Sequence, residues 1–169
     1  SELKPKEFVT YDNKKFSWSD NPISWLKSNR EMVYNSNSVT HVLYRPFYKT
    51  HGYYNRSLNE RVYQLPKLFP MESENKNLLI CISGLGGKKG SSVLISNLIP
   101  DLNLLDAGAQ CFPLHYYEET EKQTPDLFEA AGDSEYIKRD GVSDFILKRA
   151  RENYGDRVVK EDIFYYVYG

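Results

Sequence analysis

Long apolar runs are missing from this chain of 169 residues. No stretch approaches the roughly 20 consecutive apolar residues that a membrane-spanning helix needs. The first residues, SELKPKEFVTYDNKKF, also lack the apolar core and the small-residue cleavage site of a signal peptide. We therefore expect a cytoplasmic protein with no membrane partner.

Cysteine and histidine are scarce, with two and three copies. Cys81 and Cys111 both lie in apolar stretches, and nothing else in the sequence suggests secretion, so we predict small buried thiols. Cys111 and His115 have the spacing of half a zinc site, but no second pair stands nearby. Alternation along a strand explains both residues, and we expect no metal in this chain.

Charge is nearly balanced over the whole chain, with a net charge of −1, but it is unevenly distributed. Residues 41–100 carry eight lysines and arginines against three acids, whereas residues 101–145 carry three against eleven. One surface could thus be basic enough to attract a polyanion while the acidic half faces a partner or solvent. A uniformly basic nucleic-acid binder is excluded.

The apolar run Leu78–Ile82 ends in a glycine cluster, which is typical of a strand buried on both faces. We predict one α/β or α+β domain, with a mixed sheet centred on residues 78–83 and helices at the C-terminal side. Further strands are expected at 40–44, 47–54, 103–106 and 110–116. An N-terminal arm, residues 1–38, carries a short helix that starts near Pro22, and the domain proper covers 39–169.

Two C-terminal helices are also expected. Ser143 is a good N-cap for the first, and Gly155 ends it. The second starts at Lys160, with acids in its first turn, and is still in helical period at Gly169. Such an ending predicts a fragment of a longer chain, truncated at this helix.

The segment from Ser83 to Ser92, SGLGGKKGSS, is the sharpest local signal, and we call it the glycine turn. Glycines let backbone N–H groups approach an anion, while lysines and serines add charge and hydrogen bonds. The spacing fits neither a Walker loop nor G-x-G-x-x-G, so we favour either a DNA-phosphate contact or an ordinary solvated turn. The side chains expected at the phosphates are Lys88, Lys89, Ser91 and Ser92.

A second cluster has the chemistry for reading nucleic acid. Arginine can bridge guanine N7 and O6, asparagine can bridge adenine N6 and N7, and lysine can hold phosphates. Solvation of a sheet edge is an equally good explanation of the same residues. The candidates are Arg45, Lys49, Asn55, Arg56, Asn59 and Arg61.

An ordered set of motifs across most of the chain resembles one known family. The motifs are YRPF at 44–47, YY at 53–54, LPxxFP at 65–70, ISG at 82–84 followed by KK and SS, IPDL at 99–102, QCFPL at 110–114, RDG at 139–141, YG at 154–155 and KEDIFYYVYG at 160–169. Together they resemble the C-terminal specificity, or target-recognition, region of type ISP single-polypeptide restriction–modification enzymes. The ordered set is far more specific than any single motif.

The resemblance implies a function and a set of partners. Family members carry a nuclease, an ATP-driven helicase-type translocase and an adenine-N6 methyltransferase upstream of this region. It therefore implies sequence-specific recognition of double-stranded DNA by a module that is not an enzyme by itself. The parent enzyme would use S-adenosylmethionine, ATP and Mg, with no cofactor in this fragment, and its methyltransferase and helicase regions would be partners of the module.

Two alternatives to DNA recognition stay open. The fragment could be a structural or coupling subdomain that packs on the upstream methyltransferase, which the net charge of −1 favours. It could also be a metal-dependent nuclease that uses Asp101 and Glu119, although the usual Glu-x-Lys ending is missing there. The resemblance assigns no DNA contacts to individual residues, so the candidate contacts rest on chemistry alone.

Overall fold

The structure, a computed structural model, describes residues 20–55, 58–59, 62–70, 76–120 and 136–169. The chain divides into two units. One unit comprises the residues up to Thr40 together with His51–Tyr63, and the other comprises His41–Thr50 and Gln64–Gly169. The domain boundary expected after residue 38 stays a prediction.

Within the described ranges there are four α-helices and eight strands. The helices are α1 (Asp20–Lys27), α2 (Leu65–Leu68), α3 (Asp144–Tyr154) and α4 (Lys160–Tyr168), with a 3₁₀ turn at Ser36–Ser38. The strands are β1 (Val39–Arg45), β2 (Tyr48–Tyr53), β3 (Leu79–Ile82), β4 (Val93–Ser96), β5 (Ile99–Pro100), β6 (Gln110–Pro113), β7 (His115–Glu119) and β8 (Tyr136–Asp140).

The strands form three small sheets, with the orders β2-β1-β5, β4-β3-β6 and β7-β8. The α/β class and the central position of β3 are confirmed, but β3 pairs antiparallel with both neighbours. A parallel pair occurs in another sheet, where β1 meets β5. The chain turns between β4 of one sheet and β5 of another, where Ser96 Oγ accepts from Leu98 N at 3.0 Å and donates to Leu98 O at 2.9 Å.

The strand predictions agree with the structure wherever a local pattern is strong. The strands around Pro46 are confirmed as β1 and β2. The predicted strand at 103–106 is wrong, because Leu104 N donates to Asp101 O at 3.0 Å and Ala107 has a φ of 59°, both of which curl the backbone. The predicted strand at 110–116 divides into β6 and β7 where Leu114 N bonds Leu78 O at 2.8 Å. The sequence analysis missed β8.

The two C-terminal helices are confirmed with their predicted ends. Ser143 Oγ accepts from Ile146 N at 3.3 Å, and Gly155 terminates α3 with a φ of 96°. Asp162 Oδ2 accepts from Val159 N at 2.9 Å, which satisfies a backbone donor at the start of α4. No helix in the described part of the chain is both long and apolar enough to span a membrane.

The core of the second unit lies on β3, whose first three residues are buried. Ile80, Leu114 and Phe164 form a buried cluster, so α4 packs on the sheet through one phenylalanine. Next to this contact, Lys160 Nζ lies 2.8 Å from Asp140 Oδ2 and 2.6 Å from Asp144 Oδ1. These carboxylates raise the pKa of Lys160, and the ammonium lowers the pKa of Asp140.

Cys81 and Cys111 face each other across β3 and β6 as free thiols, with the sulfur atoms 3.4 Å apart. The Cys81 side chain is fully buried and Cys111 is partly buried. Their role is packing, in agreement with the sequence analysis. No group of three or more candidate metal ligands occurs in the described residues.

The buried amide of Asn77 joins three elements. Its Nδ2 donates to Leu68 O at 2.9 Å and to His115 O at 2.6 Å, and its Oδ1 accepts from the backbone N–H of Leu78 and His115 at 2.8 and 3.1 Å. One side chain thereby satisfies backbone groups at the end of α2, at the approach to β3 and at the start of β7. Without these bonds, the same groups would be buried without partners.

We predict that Asn77→Ala lowers the free energy of unfolding by about 2–4 kcal/mol, because several buried backbone groups lose their partner. The measurement is urea denaturation followed by circular dichroism. Asn153→Ala is the matched control, since the Asn153 amide makes only an exposed bond to Arg149 O. This control should change the stability by less than about 0.5 kcal/mol. Equal effects of the two substitutions would contradict the role given to Asn77.

Candidate nucleic-acid interface

An irregular segment, residues 101–109, organises the basic groups of the second unit, and we call it the aspartate loop. Leu104 anchors it in the interior with 2% of its surface exposed. Its ends are closed by a backbone bond from Ala109 N to Leu102 O at 2.8 Å. Asp101, at the start of this loop, and Asp106, five positions later, each hold one of the predicted contact regions.

The carboxylate of Asp106 binds the glycine turn. Its Oδ2 accepts from Lys88 N at 2.6 Å and from Lys89 N at 2.9 Å. These bonds, with the Lys89 bond the larger cause, lower the pKa of Asp106 below its ordinary value. The backbone donors that we expected to receive a phosphate are thus satisfied by a carboxylate of the same chain. The lysine side chains themselves are exposed.

Gly84 lets the glycine turn approach the aspartate loop. Its N–H donates to Asp106 O at 3.0 Å, and a Cβ at this position would overlap the carbonyl oxygen of Ala107. A side chain is therefore excluded where the two segments meet. At the far end of the turn, Ser83 N donates to Ser92 O at 3.0 Å and Ser92 N donates to Ser83 Oγ at 2.8 Å. The turn is a closed, ordered loop.

Arg45 is held by the other aspartate. Its Nη1 lies 2.9 Å from Asp101 Oδ1 and 2.6 Å from Tyr44 O, and its guanidinium carbon stands 4.0 Å from the centre of the Tyr44 ring. The backbone adds a bond from Asp101 N to Leu43 O at 3.0 Å. Arg45 is thus fixed in place, half-exposed, and its charge is partly neutralised.

The aspartate loop brings two candidate regions together. Asp101 and Asp106 are five positions apart, so their Cα atoms are separated by at most about 18 Å. Arg45 and the glycine turn are therefore attached to one short loop, which their separation of more than 40 positions in the sequence does not indicate.

Asn55 and Asn59, in the first unit, hold their own loop. Asn59 Oδ1 accepts from Asn55 N at 2.7 Å and Asn59 Nδ2 donates to Tyr53 O at 3.1 Å. Asn55 Nδ2 donates to Ser38 Oγ at 3.3 Å. These amides have a structural function in addition to any reading of bases.

The other candidate contact residues lie on β2, in the glycine turn and outside the described residues. Lys49 on β2 and Ser91 in the glycine turn are exposed. Arg56 and Arg61 lie outside the described residues. Ser92 contributes its backbone to the closure of the glycine turn.

The two carboxylates of the nuclease alternative are engaged elsewhere. Asp101 Oδ1 accepts from Arg45 and from Asn103 N, the latter at 2.9 Å, and Glu119 also has an interaction partner. A metal-binding carboxylate needs these lone pairs for the ion. Both bonds to Asp101 end on the same oxygen and serve structural contacts, and no group of three or more candidate metal ligands occurs among the described residues, so the geometry gives a nuclease centre no support.

The sequence analysis missed the roles of Asp101 and Asp106 as ligands of basic segments. It counted both in the acidic part of the chain, opposite the basic part that they bind. A weak signal was present, because Asp101 follows a proline and Asp106 precedes a glycine-containing turn, where carboxylates commonly accept backbone N–H bonds.

Comparisons with known proteins give a consistent result. A family model described as Type ISP C-terminal specificity domain matches residues 1–169. A search of curated proteins found no match. Three solved structures of DNA complexes are similar to the chain.

The first is the ATP-dependent Type ISP restriction-modification enzyme LlaBIII bound to DNA, at 29% identity and a TM-score of 0.69 over 90% of this chain and 9% of that one. The DrdV–DNA complex shows 30% identity and a TM-score of 0.70, over 89% of this chain and 13% of that one. A nuclease-deletion mutant of the Type ISP enzyme LlaGI with a DNA substrate mimic shows 33% identity and a TM-score of 0.59, over 69% and 10%. The chain thus spans a small part of each relative.

We predict that the amide resonances of Lys88 and Lys89 titrate with Asp106 at a pH below 3.8, the ordinary value for aspartate. The folded-state pKa is lowered, so the stabilisation by this carboxylate is present above the unfolded-state pKa and disappears as the pH falls through the folded one. Two-dimensional NMR between pH 2 and 6 measures the titration, since this range extends about two pH units on either side of the ordinary aspartate value. Asp106→Asn is the control and should abolish the titration. A midpoint at or above the ordinary value would refute the contact.

Proposed function

The chain belongs to the family of type ISP C-terminal specificity domains, and from this we propose that it recognises double-stranded DNA in a sequence-specific manner. It is the target-recognition module of a longer restriction–modification polypeptide and has no catalytic function by itself. The observation that carries the proposal is the family match over the full chain, together with similar structures that were solved with DNA. The proposed ligand is DNA inside the cell, so the proposed location is the cytoplasm.

The catalytic functions belong to the rest of the proposed polypeptide. We assign ATP, S-adenosylmethionine and Mg to helicase-type and adenine-N6 methyltransferase regions outside this chain. This module would supply the sequence recognition that directs those activities.

Within the module, we propose that Lys88 and Lys89 contact the DNA backbone. Both side chains are exposed, and Asp106 fixes the backbone beneath them, so little backbone entropy is lost when they bind phosphates. Ser91 adds a hydroxyl donor at the same turn. Phosphate contacts position a protein on DNA without reading sequence.

Base reading belongs to the second set of candidates. Arg45 is held rigid by Asp101 and Tyr44, an arrangement that suits bidentate contact with a guanine. Lys49 follows on the neighbouring strand. The proposal retains Asn55, Asn59, Arg56, Arg61 and Ser92 as further contacts.

One observation favours a second function, namely coupling to the proposed methyltransferase region. Helices α3 and α4 expose large apolar residues, among them Tyr154, Tyr166 and Val167, each with more than 70% of its surface accessible. Such side chains are typical of surfaces that pack on another domain. A chain with only this function would bind the methyltransferase region and would not bind duplex DNA at moderate salt.

We predict that Lys88→Glu with Lys89→Glu weakens duplex binding at least about tenfold on every sequence, because two phosphate contacts become repulsive. Fluorescence anisotropy with a duplex recovered from a randomised pool measures the affinity between 50 and 200 mM salt, where about 10³-fold changes occur for multi-contact proteins. The slope of log K against log salt should fall in magnitude by about two.

Lys148→Glu with Arg149→Glu is the matched control for this experiment. It changes the same net charge at two adjacent exposed positions on α3. Binding by the control should remain within about twofold of the wild-type chain. Unchanged binding by the Lys88/Lys89 variant would remove the glycine turn from the interface, and loss of binding by the control alone would assign the interface to α3.

A further inference from the structure

The connection between β1 and β2 places a bulky residue in a left-handed backbone conformation. Pro46 and Phe47 join the two strands, and Phe47 has a φ of 64°. A proline followed by a residue with positive φ is typical of a type II turn, in which glycine or asparagine takes the second place. A bulky side chain in this conformation is strained. Phe47 therefore occupies a position where glycine would be more stable.

The ring of Phe47 gains nothing from packing in return. It is 90% exposed, among the most accessible large apolar side chains of the described residues. Strain that packing does not offset is typical of functional positions, because selection for stability alone would remove it. The cause is to be sought in what the ring contacts when the protein is bound.

Phe47 belongs to an aromatic group at the end of the hairpin, residues 44–49, which we call the hairpin tip. Tyr44 and Tyr48 flank the turn with their rings edge-to-face at 6.2 Å, and they are 44% and 61% exposed. The third strand of this sheet, β5, pairs only with Val42 and Leu43. The hairpin tip is thus a two-stranded ribbon with three exposed rings.

The base of the hairpin tip is rigid and cationic. Arg45 stacks on Tyr44 and is tethered to Asp101, and Lys49 is exposed on the adjacent strand. Flat apolar rings between positive charges are complementary to stacked bases between phosphates. A two-stranded ribbon is also narrow enough to enter a groove of the duplex. The occupant that these features fit is DNA.

We propose that Phe47 is a wedge that inserts at one base step of the bound duplex and stacks on an unstacked base. Phenylalanine and proline are among the residues that DNA-binding proteins insert in this way. The tether between Arg45 and Asp101 fixes the base of the ribbon, so the ring enters with little loss of entropy. This inference rests on the proposed function and identifies how the module deforms its target.

The decisive variant is Phe47→Gly, since it separates stability from binding. Glycine adopts a positive φ without steric cost, so the unfolding temperature should not fall. The affinity for a duplex selected from a randomised pool should fall about 5- to 150-fold, the factor for one lost base–aromatic stack. Phe47→Trp keeps an aromatic face. Its loss of affinity relative to the wild-type chain should be at most half of the Phe47→Gly loss on a logarithmic scale. Anisotropy and thermal melts by circular dichroism measure the two quantities.

Insertion of the ring is detected by the fluorescence of 2-aminopurine, which replaces each adenine of the selected duplex in turn. Wild-type protein should raise the fluorescence at one position, and Phe47→Gly should abolish the rise. Tyr166→Ala, at a comparably exposed ring on α4, is the control and should leave both signals unchanged.

The possible results distinguish failure of Phe47 insertion from failure of DNA recognition itself. Wild-type binding that persists in Phe47→Gly would overturn the wedge and leave DNA recognition standing. Weaker binding without a fluorescent position would place the ring in a groove and also overturn insertion. Absence of duplex binding by the wild-type chain, at any salt concentration tested, would overturn both proposals.

Discussion

The second unit depends on one buried side chain. The amide of Asn77 bonds backbone groups of α2, β3 and β7, so it fixes where β3 begins relative to two other elements. The register of β3 then sets the positions of β4 and β6 on either side of it. The glycine turn leaves the end of the same strand, so its lysines inherit their position from this network. An amide suits the place because it satisfies donors and acceptors together without burying a charge.

Acids in this domain serve to arrange basic residues. The charge distribution along the sequence suggests separate basic and acidic surfaces, but Asp101 and Asp106 lie against Arg45 and the backbone of Lys88 and Lys89. Asp101 neutralises part of the charge of Arg45 and holds its guanidinium, whereas Asp106 fixes the backbone from which the Lys88 and Lys89 side chains extend. This explains how a chain with a net charge of −1 belongs to a family of DNA-recognising domains. Under the proposed function, affinity for phosphates would depend on a few lysines on a fixed backbone more than on overall charge.

The parts of the fold that could be predicted have local causes. An apolar run before glycines identifies β3, Ser143 and Gly155 delimit α3, and Pro46 marks the hairpin, since each signal lies within a few residues. The single mixed sheet could not be predicted correctly, because the breaks between the sheets coincide with isolated local bonds, those of the Ser96 hydroxyl after β4 and the bond from Leu114 N to Leu78 O between β6 and β7. The contact between Asp106 and the glycine turn spans 18 positions and an irregular loop, so no hydrophobic periodicity in the sequence predicts it. The family was identified from the order of many motifs, none of which is specific alone.

Asn77 and Phe47 have opposite effects on the stability of the fold. At Asn77, every polar group of a buried side chain is used, and the structure gains from it. At Phe47, an exposed ring occupies a backbone conformation that favours glycine, and the fold loses by it. A domain whose net stability is only about 5–15 kcal/mol retains such a loss where binding recovers it. The hairpin tip lies beside Asp101, so the strained residue sits next to the loop that also holds the glycine turn. Under the proposed function, rigidity at the base and strain at the tip are two parts of one surface for DNA.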